Sequence, residues 1–163
     1  MNSDHFFQQS IAFLHSIGIE TEFQTLPDEA CFLPGLLIRD GRIFIDPEKL
    51  LFAGDVLHEA GHLAVVPAAE RATLDGPAIG KRKDAPAEEM MAIAWSYAAC
   101  IHLGIAPSFV FHGHGYQGGG EHILQNFNEG RYFGVPMLQW LGMTTATPGA
   151  GAVYPAMQKW LRD

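Results

Sequence analysis

The sequence predicts an α+β protein in which an N-terminal helix and a short antiparallel or mixed sheet precede two central helices. Short strand-like runs lie between residues 20 and 46, longer apolar patterns of helical period follow them, and glycine or proline punctuates both. The chain has 163 residues, of which 48% are hydrophobic, enough for one core. No segment resembles a linker, so we expect a single domain over residues 1–163 with a mostly helical C-terminal part.

The first elements should be one helix and three strands. Residues 3–17 have an amphipathic pattern that ends at Gly18, which predicts a helix. Three strand-like runs follow, at 20–26, 30–40 and 41–46. Asp40 and Gly41 separate two apolar runs and form a typical hairpin signal. The last two strands should therefore be antiparallel neighbours.

The next helix should contain the stretch DVLHEAGHLAVV, residues 55–66. Its start signals are Asp46 as a cap, Pro47 at the first helical position and Glu48 as a favourable first-turn charge. Pro67 supplies the stop signal. The pattern predicts a capped apolar helix that carries two histidines and a glutamate.

A second long helix is predicted from about residue 86 to residue 104, opening with Asp84 and Pro86 and closing at Gly104. The segment 67–84, rich in proline, glycine and charge, should be a loop. The segment HGHGYQGGG is too rich in glycine for regular structure. This glycine-rich segment covers residues 112–120. Three shorter helices are predicted after it, at 121–129, 135–142 and 153–162.

Composition excludes some classes of function. The net charge is −8, and the one basic cluster, at 81–83, is followed at once by an aspartate, so we expect no nucleic-acid partner. Cys31 and Cys100 fit no metal or redox spacing, which favours free thiols in a reducing compartment. The N-terminus has no basic region typical of a secretory signal, so cytoplasmic localisation is the default.

Residues 90–111 contain no Asp, Glu, Lys or Arg and are long enough to span a bilayer. A helix buried on all sides in a protein core has the same pattern. Ser96, Tyr97 and His102 lie within the segment, and flanking positive clusters are not evident. We therefore expect a buried helix and no membrane span.

The chemistry centres on His58, Glu59 and His62 in the HEAGH motif. Residues four apart lie one turn above each other, so both imidazoles can face one point, an arrangement that suits Zn²⁺. Glu59 lies about 100° further round the helix, close enough to act on a water activated by the metal. It can serve first as a base and later as an acid toward the leaving amine.

A catalytic zinc needs a third protein ligand, and the first turn of the second helix offers Glu88 and Glu89. Acidic residues also favour helix N-termini for electrostatic reasons alone, so either glutamate could have that role. Glu89 heads a stripe of small residues, continued by Ala92 and Ser96, that would let this helix pack closely on the motif helix near Gly61. We therefore favour Glu89 and keep Glu88 as the alternative.

Several further polar residues could belong to the site. Asp55 lies one turn before His58 and could accept a hydrogen bond from a histidine. His112, His114, Tyr116 and His122 flank or lie in the glycine-rich segment, and one of them could stabilise a developing oxyanion. The sequence does not single one out.

The motif HEAGH followed by EEMMAIAWSYAA resembles the zincin metallopeptidases of the gluzincin kind, and more narrowly the compact ImmA/IrrE-like group. In that group a glutamate in an E-x-x-A-x-x-aromatic setting completes the site, a setting that Glu89, Ala92 and Trp95 fit. The resemblance covers roughly residues 41–100. It implies a zincin-like fold with the two motif histidines and Glu89 as zinc ligands.

The same resemblance implies that Glu59 is the catalytic base and that strand 41–46 binds an extended peptide by strand addition. We expect a zinc-dependent hydrolase, a metallopeptidase with a peptide or protein substrate. One alternative is a non-catalytic zinc-binding regulatory module that retains the site. Another is a membrane-embedded metalloprotease that uses 90–111 as a span.

Overall fold

A computed structural model describes residues 2–163 and shows an α+β fold. Within that range the chain forms seven α-helices and one three-stranded mixed sheet. In chain order the helices are α1 (Asn2–Ile17), α2 (Asp55–Val65), α3 (Ala68–Arg71), α4 (Gly76–Ile79), α5 (Ala85–Leu103), α6 (Gly120–Asn128) and α7 (Val135–Trp140). The strands are β1 (Thr21–Phe23), β2 (Leu36–Arg39) and β3 (Arg42–Ile45). The predicted order of N-terminal helix, sheet and two central helices is confirmed.

The sheet has the order β1-β3-β2, with β1 parallel and β2 antiparallel to β3. Asp40 and Gly41 make the predicted hairpin turn with φ angles of 50° and 70°, the left-handed conformation that this tight turn requires. The expectation that strand 41–46 accepts a peptide by strand addition is wrong. β3 is the central strand, so neighbouring strands already occupy both of its edges.

The motif helix begins later than its start signals indicate, at Asp55 rather than beside Asp46. The buried Asp46 carboxylate accepts hydrogen bonds from the backbone N–H groups of Glu48 at 3.1 Å and Leu26 at 2.9 Å. It therefore closes a turn after β3 instead of capping a helix. The end is as predicted, since α2 stops before Pro67.

The second central helix, α5, matches its prediction closely and ends at Gly104, whose φ is 68°. Its residues 91–100 are all buried, and the Trp95 Nε1–H donates to the Trp160 carbonyl oxygen at 2.9 Å. Burial on every side explains the absence of charge in residues 91–100, the central part of the stretch 90–111, without a bilayer. Within residues 2–163, no helix combines the length and apolarity that crossing a membrane requires.

One hydrophobic cluster joins α1, the inner face of the sheet, α2 and α5. Ile43 and Ile45 of β3 point into it, while Phe44 between them packs on the opposite face, as strand alternation requires. Both cysteines are free, as expected: Cys100 is buried in this core and Cys31 is half-buried. The core fixes the sheet, α2 and α5 relative to one another.

The segment 67–84 is more ordered than the predicted loop, because it contains the short helices α3 and α4. The Arg71 guanidinium holds it in place by donating to the carbonyl oxygens of Leu63 at 2.8 Å and Val66 at 3.2 Å. A cation that binds backbone oxygens at the end of α2 also complements the helix dipole.

In the C-terminal part, the helices predicted at 121–129 and 135–142 are present as α6 and α7. The helix predicted at 153–162 is not formed; this segment consists of turns and bends. Its backbone groups bond to other elements instead, as when the Arg162 N–H donates to the Ala64 carbonyl oxygen at 2.9 Å. Tertiary hydrogen bonds have overridden a helical pattern here.

Candidate metal centre

Two turns of α2 present the motif histidines toward the same point. The Nε2 atoms of His58 and His62 lie 3.2 Å apart, and their rings are nearly perpendicular, with an interplanar angle of 85°. Both side chains are largely buried, at 12% and 8% exposure. The spacing of four residues on a helix produces this convergence, as predicted.

The N-terminal end of α5 brings a carboxylate to the same point, just after its first turn. The Glu89 oxygens lie 3.6 Å from His58 Nε2 and 3.0 Å from His62 Nε2. One ligand atom from each of these residues falls within 4.8 Å of the other two. Two imidazole nitrogens and one carboxylate oxygen therefore face a common centre.

Close packing of the two central helices makes this convergence possible. A Cβ atom on Gly61 would lie 2.8 Å from the Ala92 carbonyl oxygen and 3.2 Å from its Cβ, which is too close for any side chain without movement. Ala60, Ala64 and Ser96 are fully buried around the contact. The predicted small-residue packing between α2 and α5 is thus observed, with glycine required at position 61.

Glu88, the alternative third ligand, lies elsewhere. Its carboxylate is 5% exposed and accepts two hydrogen bonds from the Arg82 guanidinium, at 2.7 and 3.0 Å. Arg82 also contacts Glu70 at 2.7 Å and thereby ties the segment before α5 to the helix. Of the adjacent glutamates, the structure brings Glu89 to the histidines and commits Glu88 to an ion pair.

Glu59 lies beside the histidines on the wall of the same cleft. Burial raises the pKa of its carboxyl to about 7, and the neighbouring carboxylates of Asp55 and Glu89 act in the same direction. A carboxyl with a pKa near neutrality can both accept and return a proton, which general acid–base catalysis requires. Its position is that of a residue next to the centre and not of a fourth ligand.

The protonation of the facing groups follows from their surroundings. Burial, and then His62, lower the pKa of His58 to about 4, which favours the neutral imidazole that metals bind. Burial acts to lower the pKa of His62, but the hydrogen bond to Glu89 and the nearby carboxylates raise it overall. Conversely, burial acts to raise the pKa of Glu89, and its contacts with His62 and His58 lower it overall.

These separations fit zinc. A tetrahedral zinc ion with bonds of about 2.0–2.2 Å holds its nitrogen and oxygen ligands roughly 3.3–3.5 Å apart. Here the two Nε2 atoms lie 3.2 Å apart, Glu89 Oε1 lies 3.6 Å from His58 Nε2, and Glu89 Oε2 lies 3.0 Å from His62 Nε2. Three protein side chains around a tetrahedral ion would also leave a fourth position open, as in catalytic zinc sites.

The glycine-rich segment supplies a contact that the sequence did not single out. The Tyr116 hydroxyl lies 3.1 Å from His58 Nδ1. A metal on Nε2 would place the His58 proton on Nδ1, which would then donate to the Tyr116 oxygen and hold the ring orientation. Tyr116 and the following Gln117 both have a φ of 56°. Such non-glycine left-handed residues often mark functional segments, but they are visible only in the structure.

A second pair joins α2 to the same segment. His112 Nε2–H donates to the Asp55 carboxylate at 2.7 Å, so the acceptor role considered for Asp55 is filled toward His112 and not toward a motif histidine. The Nδ1 atom of His112 is buried and has no hydrogen-bond partner among the described residues. His114 also lines the cleft, whereas His122 lies exposed on α6 outside it.

No family model, curated protein or solved structure matches the chain. The fold and the site therefore define the class on their own. It is an α+β protein whose two central helices hold a candidate metal centre of two histidines and one glutamate.

Proposed function

We propose that the protein is a zinc-dependent hydrolase of the zincin type, a small metallopeptidase that cleaves peptide or amide bonds. The observation that carries this proposal is the convergence of His58, His62 and Glu89 within 4.8 Å, with Glu59 beside them on the same cleft. The order of sheet, motif helix and buried second helix agrees with the resemblance of the HEAGH motif to zincins.

His58, His62 and Glu89 would hold the zinc. When bound, zinc lowers the pKa of a coordinated water toward neutrality and polarises a carbonyl group. The Glu59 carboxylate accepts the proton of the attacking water and passes it to the leaving amine. Tyr116 keeps the His58 proton on Nδ1, so that Nε2 faces the centre.

The proposal also names a substrate class and a cellular compartment. The substrate is a peptide or protein segment, because the cleft that contains the three ligands is open and measures about 1030 Å³. Free thiols at Cys31 and Cys100 agree with a reducing compartment, the cytoplasm.

The direct test replaces the proposed base without touching a ligand. Zinc-loaded wild type, Glu59→Gln and Glu48→Gln are incubated with a complex peptide mixture, and new termini are read by mass spectrometry. Glu48 is exposed and does not line the cleft, so Glu48→Gln is a matched control for the same chemical change. We expect cleavage by wild type and by Glu48→Gln, and a loss of roughly 10²–10⁴-fold or more in Glu59→Gln with zinc retained.

Equal cleavage by wild type and Glu59→Gln would contradict the proposed mechanism. Stoichiometric zinc with no cleavage by any of the three proteins would instead favour the alternative, a zinc-binding module that acts through a partner. Metal analysis of the same samples separates these outcomes from simple loss of the metal.

A further inference from the structure

The cleft beside the candidate metal centre has an apolar rim that the proposed chemistry does not use. Phe32 is 97% exposed and Leu51 is 68% exposed, and both line the cleft. Large apolar side chains at such exposure gain free energy when a ligand covers them. The rim is therefore suited to receive apolar side chains.

The walls of the cleft below the rim are also largely apolar or aromatic. Leu33 and Ile79 contribute apolar surface on one part of the cleft. On another part, the Phe52 ring stacks on His112 with centroids 3.9 Å apart and on His114 at 5.4 Å. These three rings add aromatic surface to the cleft, and aromatic surface favours contact with apolar or planar side chains.

The acidic and basic side chains that line the cleft are all of one kind, carboxylates, apart from histidines. Its lining includes the carboxylates of Glu29, Asp55, Glu59 and Glu89, and no lysine or arginine of the described chain. Two cations of neighbouring segments are already paired, Arg82 with Glu88 and Lys49 with Asp28. A zinc ion would offset part of this negative charge, but an acidic ligand would still meet carboxylates without a cationic side chain to pair with.

We propose that the site recognises a peptide segment with bulky apolar side chains flanked by neutral or basic residues, and that it rejects acidic segments. The cleft, at about 1030 Å³, lies just above the roughly 300–1,000 Å³ range of small-molecule pockets and accommodates several residues of chain. This inference rests on the proposed function, because it describes the substrate of the same site.

The test measures binding to zinc-loaded Glu59→Gln, so that no probe is consumed. The probes are four pools of dye-labelled decapeptides: three have a Phe-Leu centre with Gly/Ser, Lys/Arg or Asp/Glu flanks, and the fourth has a Gly-Ser centre with Lys/Arg flanks. Fluorescence anisotropy should show the basic and neutral apolar pools binding at least tenfold more tightly than the acidic pool and the pool without apolar residues.

Substitution of the rim tests the assignment directly. In the same Glu59→Gln background, Phe32→Ser/Leu51→Ser should weaken binding of the apolar pools by tenfold or more. The matched control is Trp140→Ser, because Trp140 is 89% exposed but does not line the cleft. It should bind as the parent does. Thermal melting curves check that each variant is folded.

Unchanged binding in the rim variant, equal binding of the acidic pool, or no binding of any pool would overturn the inference. So would a concentration-dependent dimer abolished by the rim substitutions, since a second copy would then cover the rim. Cleavage by wild type without this preference overturns the inference and leaves the hydrolase intact. Selective binding without cleavage by wild type overturns the hydrolase and leaves the recognition intact.

Discussion

The wall of the cleft formed by α2 and α5 is densely packed, whereas the wall formed by residues 112–120 is a glycine-rich turn. The first wall presents His58, His62 and Glu89 from helices whose contact residues are fully buried. The second presents Tyr116 from a backbone in the left-handed region. The atoms that face the centre thus come from closely packed helices, and the hydroxyl that contacts His58 comes from a strained turn.

This difference indicates a division of labour. A metal centre tolerates little displacement of its ligands, so helices held by close packing suit that task. Outer contacts adjust the ligands and contribute less individually. We therefore expect substitutions in the helical wall to have larger effects than substitutions in the glycine-rich wall.

The largest effect should follow from Glu89→Gln, which removes the proposed anionic ligand. Zinc affinity, measured by competition with a chromophoric chelator, should fall by more than the roughly 10–100-fold typical of losing an outer contact. The protein should remain folded, because the Glu89 side chain is 43% exposed and belongs to no other ion pair of the described residues.

Glu88→Gln sharpens this test, since it changes the neighbouring glutamate. It weakens the hydrogen-bonded ion pair with Arg82 and should cost about 2 kcal/mol of stability in urea unfolding. Zinc affinity should change much less than in Glu89→Gln. The reverse pattern, with zinc affinity lost in Glu88→Gln alone, would refute the choice of Glu89.

An intermediate effect should follow from Gly61→Val, which inserts a side chain where α2 and α5 touch. Even the Cβ would lie 2.8 Å from the Ala92 carbonyl oxygen, so overpacking should lower the free energy of unfolding by about 1–3 kcal/mol. Gly80→Val is the control, because a Cβ there meets no atom within 4 Å. Equal unfolding midpoints for both variants would show that the close approach is unimportant.

The smallest effect should come from the glycine-rich wall. Tyr116→Phe removes the hydroxyl that contacts His58 Nδ1 at 3.1 Å but keeps the ring. Zinc affinity should fall by roughly tenfold, the lower end of the range for an outer partner. Tyr132→Phe serves as the control, since Tyr132 does not line the cleft. A loss of zinc affinity in Tyr116→Phe as large as that in Glu89→Gln would contradict the proposed difference between the two walls.

The sequence predicts those parts of the molecule that depend on local patterns. The helix α5 and the hairpin at Asp40 and Gly41 follow from periodicity and turn chemistry, which act over a few residues. The start of α2 was missed because the Asp46 carboxylate bonds to the distant Leu26. The segment 153–162 was missed for a similar reason, since its backbone bonds across the fold.

The candidate site divides in the same way. The spacing of His58 and His62 on one helix face is a local property and could be predicted. Whether Glu88 or Glu89 faces them depends on how α5 packs at Gly61, which the stripe of small residues indicated without resolving it. The contact of Tyr116 depends on the conformation of a glycine-rich turn, for which sequence offers no periodic signal.

The most direct test of the central claim is anomalous scattering from crystals of the zinc-loaded protein, recorded above and below the zinc absorption edge. The account predicts a peak about 2.0–2.2 Å from His58 Nε2, His62 Nε2 and a Glu89 oxygen. No peak at that position with zinc in excess, or a peak bound instead by His112 and His114, would contradict it.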